Sequence, residues 1–161
     1  MRKLLPVLLG AFLLVPVGRA QQPSPAQTAY LDAYIEMLRA DVRGEKIALI
    51  SHTIEFTEQE AAAFWPLYNR YDRELNQFND QRVALIKDFG ANFSTMTDEK
   101  ATELANRLLD WEENRVKFKR RYFSEFNKVL TPIKAARLLQ LENKVTLLID
   151  LQIAAQVPLV E

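Results

Sequence analysis

The sequence predicts an all-α protein of four helices, and three observations carry that expectation. Apolar residues recur at three- and four-residue spacing through most of the chain. After residue 27 helix breakers are few: Gly44 and Gly90 among the glycines, Pro66, Pro132 and Pro158 among the prolines. No segment sustains the period-two alternation between turn signals that marks a half-buried strand.

The chain begins with Arg2 and Lys3 before the apolar run LLPVLLGAFLLVPV, which is short and Pro-interrupted for a membrane span. Gly18 and Ala20 then place small residues at the −3 and −1 positions before Gln21. This pattern predicts a cleaved signal peptide over residues 1–20, with a retained anchor as the alternative. Residues 21–27, QQPSPAQ, read as a disordered lead-in, and residues 28–161 as a single α-helical domain. The 21 basic and 21 acidic side chains balance, and the leader carries three basic residues and no acid, so the exported chain is slightly acidic. That balance argues against nucleic acid as a partner. With no Cys in the chain, an exported protein of this kind is held by packing alone.

The first helix is expected from about Thr28 to Ile50, with Leu31, Tyr34, Leu38, Val42 and Leu49 on its apolar face and Gly44 as a break or bend. The second starts after Thr57, where Thr57 and Glu60 have the spacing of a capping box and Phe56 stands where a hydrophobic staple would. Its stripe runs Phe64, Tyr68, Tyr71, Leu75, Phe78, Leu85 and Phe89, Gly90 closes it, and Pro66 is expected to kink it. The third begins after Thr97, with Asp98 and Glu99 complementing the helix dipole. Its seam is Ala101, Leu104, Leu108, Trp111, Phe118, Tyr122 and Val129, with Phe126 alongside. The fourth opens after Leu130 at Thr131, with Pro132 at the first helical position, and ends before Pro158.

Helices over 58–89 and 98–129 would each span about 48 Å. Joined by the short loop GANFSTMT, they are expected to form a long central antiparallel hairpin that the shorter flanking helices cover in part, giving an elongated shape. The segment VTLLIDLQIAAQV in the fourth helix is apolar nearly all round. Such a helix is buried on several sides or meets a partner, and Leu147, Leu148 and Leu151 are the expected contact of a two-fold homodimer. Wrapping by the first helix is the other explanation.

Catalytic chemistry has little to stand on. The single His, His52, lies in SHT just past the first helix, and no Cys, Gly-rich loop or distinguished carboxylate pair accompanies it. We therefore expect no enzyme, no cofactor and no metal site; a metal-binding stress sensor would need His52 to meet its dimer mate. The stretch RVKFKRRYF is the most informative local feature: Arg115, Lys117, Lys119, Arg120 and Arg121 interleave with Val116, Phe118, Tyr122 and Phe123. One explanation is structural, with Phe118 and Tyr122 in the seam and Glu113–Lys117 and Arg121–Glu125 as i,i+4 pairs. The other is a charged and apolar face that binds an extended or unfolded polypeptide, with Arg115, Lys117, Phe118, Lys119, Arg120, Arg121 and Tyr122 as its residues. Contact with an anionic membrane surface, without insertion, is a third.

Two stretches share a phrase: FTEQEAAAFWPLY from Phe56 and LTPIKAARLLQLE from Leu130. Each has an apolar residue and a Thr, an Ala-Ala pair, then apolar residues seven and ten positions after the Thr. In this phrase, and in a layout of signal, four helices and long hairpin, the chain resembles the Spy/CpxP family of bacterial periplasmic proteins, which carry an L-T-x-x-Q motif twice. Where the family has Gln, this sequence has Glu60 in one copy and Lys134 in the other. The resemblance implies a cradle-shaped periplasmic dimer that binds unfolded or misfolded envelope proteins without ATP, or damps an envelope-stress sensor. Some relatives bind zinc through His- and Cys-rich segments, which have no counterpart here. A structural helical adaptor docking one envelope protein is the alternative.

Overall fold

Three threonines open three helices. In the computed structural model, which describes residues 42–159, α1 covers residues 42–53, α2 Glu58–Asn92, α3 Asp98–Val129 and α4 Pro132–Gln156, with a 3₁₀ turn over Phe93–Thr95. The described residues are all-α, without strands. At α2 the Thr57 Oγ1 accepts the Glu60 N–H at 3.2 Å and the Glu60 carboxylate accepts the Thr57 N–H at 2.8 Å, a complete capping box. Thr97 accepts the Lys100 N–H at 3.2 Å and Thr131 the Lys134 N–H at 3.4 Å. Phe56 sets its ring 4.6 Å from that of Phe64. The expectations for the leader, the lead-in and the first half of the first helix lie outside the described residues.

Several expected boundaries and faces shift. The first helix runs on to residue 53, so His52 sits in its last turn, exposed. Its buried face carries Lys46 and Ile50, with Ile54 buried just beyond its end, while Leu49 points out. Gly44 lies within helical residues instead of breaking them. Gly90 does not close α2: among the described residues no glycine adopts the positive φ of a helix-ending turn, and α2 continues to Asn92. There the Asn92 side chain donates to the Asp88 carbonyl at 2.8 Å and to its carboxylate at 2.9 Å, holding the last turn without a glycine. Pro66 lies inside α2. On α3, Leu108 is exposed and leaves the seam.

Contacts between α2 and α3 pair early residues of one with late residues of the other. Ring centroids of Phe64 and Phe126 are 5.6 Å apart, Tyr71 and Tyr122 5.0 Å, and Phe78 and Trp111 5.2 Å. Farther along α2, Arg107 reaches Asp88 at 2.5 Å. The core gathers at the end where α1 and α4 join α2 and α3: Ile50 from α1 and Ile54 just after it, Phe64, Tyr68 and Tyr71 from α2, Tyr122 and Phe126 from α3, and Ala135 and Leu138 from α4. Each large side chain buried there contributes roughly 1.5–3 kcal/mol. At the other end Leu85 and Leu104 are buried and Leu109 is exposed.

Candidate partner-binding surface

The repeated phrase builds the joint between α2 and α4. Phe64 and Leu138, each seven residues after its Thr, are both in the core. The divergent fifth residues meet: Lys134 Nζ donates to Glu60 Oε2 at 2.6 Å. Glu60 thus caps its own helix and holds the start of α4. The bonds from Lys134 and from the Thr57 backbone keep its carboxyl below the ordinary carboxylate range.

Behind this joint lies a buried polar cluster from α1, α2 and α4. Lys46 Nζ sits 3.1 Å from Glu142 Oε2 and 3.4 Å from Asp72 Oδ1. Tyr68 and Tyr71 donate their hydroxyls to Glu142 at 2.9 and 3.0 Å, and Arg43 pairs with Asp72 at 3.0 Å. Burial, then the Glu142 charge, pushes both phenols well above their ordinary pKa, so they stay donors. Among the described residues no buried side-chain nitrogen or oxygen lacks a partner. We did not expect these residues from the sequence. Their signal was there: Lys46, Asp72 and Glu142 stand four residues from Ile50, Tyr68 and Leu138, on the same stripes.

The basic–aromatic stretch divides sharply. Phe118 and Tyr122 are 9% and 3% exposed and pack on Tyr71 of α2, so neither offers a surface to a partner; their inclusion in the expected binding set is corrected. Arg121 lies over both rings, 5.3 and 4.8 Å from their centroids, and pairs with Glu74 of α2 at 2.5 Å. It does not form the expected hydrogen-bonded pair with Glu125, which binds Lys128 at 2.6 Å. Lys119 is half-buried and donates to Asn143 of α4 at 2.8 Å. Burial and the neighbouring Arg115 charge hold its ammonium below the usual lysine pKa. Arg115 pairs with Asp150 of α4 at 3.0 Å. Val116, Lys117 and Arg120 remain exposed, with Lys117 paired to Glu113 at 2.5 Å as expected.

The apolar surface lies instead on α4. Leu147, Leu148 and Leu151 are 67%, 63% and 68% exposed, on the side of the helix away from Leu138 and Glu142. The Lys119–Asn143 and Arg115–Asp150 contacts set these turns of α4 beside residues 115–119 of α3. Val116 and Leu109 of α3 are also exposed.

No protein-family model, no curated protein and no solved structure matches the chain. Among the described residues no group of three or more His, Cys, Asp or Glu is arranged to hold a metal ion. No described helix is long and apolar enough to cross a membrane.

Proposed function

We propose that the protein binds other polypeptides without catalysis, as an ATP-independent chaperone-like or stress-adaptor protein of Spy/CpxP type, exported to the periplasm and working without cofactor or metal. In this reading α2 and α3 form the central hairpin of an elongated cradle, and two copies pair through α4. The observation that carries it is the exposed Leu147–Leu148–Leu151 face of α4, which a captured polypeptide or a second copy would cover. Covering the three leucines is worth roughly 1–2 kcal/mol each at their degree of exposure. Against the cost of association, that favours weak and reversible capture over a tight complex.

Protein lacking residues 1–20 should slow aggregation of a chemically denatured client at near-stoichiometric amounts, and Leu148→Asp with Leu151→Asp should abolish the effect. No slowing for any of several clients at low salt would sink the chaperone reading. The fully satisfied interior and the tethering of Arg115, Lys119 and Arg121 favour a second reading, a stiff adaptor that docks one envelope protein. Photo-crosslinking from position 116 or 117 in cells separates the two: one strong adduct supports the adaptor, many weak ones the chaperone.

A further inference from the structure

Along its length α4 is held in two different ways. Up to Glu142 it contributes Ala135, Leu138 and Glu142 to the interior. Beyond Glu142 none of its described side chains is buried: Val145, Thr146 and Ile153 are partly covered and Ile149 is exposed. The ties from this half to the rest of the fold are polar. Asn143 accepts from Lys119, and the two oxygens of Asp150 accept from Arg82 of α2 and Arg115 of α3.

The same two guanidiniums lie 5.0 and 4.9 Å from the centroid of the Trp111 ring. Trp111 is buried, stacked on Phe78, with its indole N–H donated to the Phe78 carbonyl at 3.3 Å. One carboxylate, two cations and one indole thus form a single stack drawn from three helices. Glu112 shares Arg115 at 2.5 Å, so Arg115 keeps an acidic neighbour when Asp150 leaves. Charge-assisted bonds of this kind are strong in place, yet a segment whose apolar side chains are only partly covered opens locally ahead of the core.

We propose that residues 143–156 are a latch that opens as a unit from the rest of α4, with Asp150 as its catch. The pivot falls after Glu142, the last residue of α4 anchored in the core. Opening uncovers the inner side of Val145, Ile149 and Ile153 and loosens the cover of Trp111, enlarging the apolar surface next to Leu147 and Leu148. The consequence for capturing a polypeptide rests on the proposed function; the opening itself does not.

Peptide-resolved hydrogen exchange on the full chain, wild type against Asp150→Asn, tests the latch. Amides after residue 145 should exchange faster than those of 136–142 in the wild type. Asp150→Asn should speed the 143–156 amides about tenfold or more, as loss of a charge-assisted bond implies, and leave 136–142 unchanged. In a Trp65→Phe background, acrylamide should quench Trp111 more strongly once Asp150 is replaced. Acceleration of both halves together, or of neither, overturns the proposal. Should Asp150→Asn fail to fold, Arg82→Gln removes one of the two bonds and must give a smaller change confined to the same segment; a change elsewhere or none also overturns it. Client aggregation measured on the same samples keeps the two ideas apart: local opening without any slowing of aggregation refutes the chaperone function and leaves the latch standing.

Discussion

Replacing Lys46 with Met tests the buried polar cluster directly. Met keeps most of the aliphatic stem, so the packing around it is nearly preserved, and what disappears is one ammonium between two carboxylates. Removing one member of a buried ion pair costs roughly 3–5 kcal/mol because the other charge stays behind without compensation. Here the residue left behind is cushioned: Glu142 keeps two phenol donors, and Asp72 keeps Arg43, which is itself largely exposed. The expected cost is therefore at the low end, about 3 kcal/mol, or a fall in Tm on the order of 10 °C for a chain of this size. Urea unfolding followed by circular dichroism measures it. Glu142→Gln placed on Lys46→Met should recover about 1–2 kcal/mol, since it removes the stranded charge and keeps an acceptor for a phenol. A loss below about 1 kcal/mol for Lys46→Met, or no relief from Glu142→Gln, would refute the idea that Lys46 neutralises Glu142 in the interior.

Gly90→Ala should stabilise the protein by about 0.5–1 kcal/mol, because Gly90 is helical and a Cβ there would meet nothing within 4 Å; a lower urea midpoint would contradict it. Acid should destabilise the fold through carboxyls held below their ordinary values, Glu60 by Lys134 and the Thr57 backbone, Asp88 by Arg107 and Lys100. Their folded pKa values lie under 4.5 and 3.8, so the unfolded chain binds more protons in that window and stability, full above it, drains as pH falls. Glu60→Gln should flatten the decline in urea midpoint between pH 5 and pH 3. In alkali the raised phenols of Tyr68 and Tyr71 work the other way: above pH 10 the unfolded chain ionises first, and unfolding should coincide with the appearance of phenolate absorbance. Leu148→Asp should halve the mass in solution if copies pair through α4, and leave stability within about 0.5 kcal/mol, since Leu148 is exposed; unchanged mass would remove the interface.

The parts of the fold that were legible in the sequence are those set by local chemistry. Thr57, Thr97 and Thr131 announce helix starts because an N-cap needs only its own next turn. The α2 stripe from Phe64 to Leu85 follows because periodicity reports which face is buried. Phe118 and Tyr122 sit on the α3 stripe, and their membership there should have outweighed their charged neighbours. Long-range pairing left no local trace. A reading that assigns charges to solvent places Lys46, Asp72 and Glu142 outside, although each falls on an apolar stripe. Arg82, Trp111, Arg115 and Asp150 come from three helices, and no spacing within one helix reveals that they meet. Gly90 shows the opposite error, since a glycine near a helix end suggests a stop and here Asn92 provides one two residues later.

The bond between Lys134 and Glu60 joins residues 74 positions apart, as does the bond from Tyr68 to Glu142. A chain made from its N-terminus therefore presents Lys46, Asp72 and two tyrosine hydroxyls to water while the acid that will bury them is still unmade. The order of synthesis and the order of closure are opposed: the first helices wait, half-satisfied, for the last. A protein proposed to handle unfinished polypeptides would itself pass through synthesis as one, with its aromatic interior open until α4 arrives.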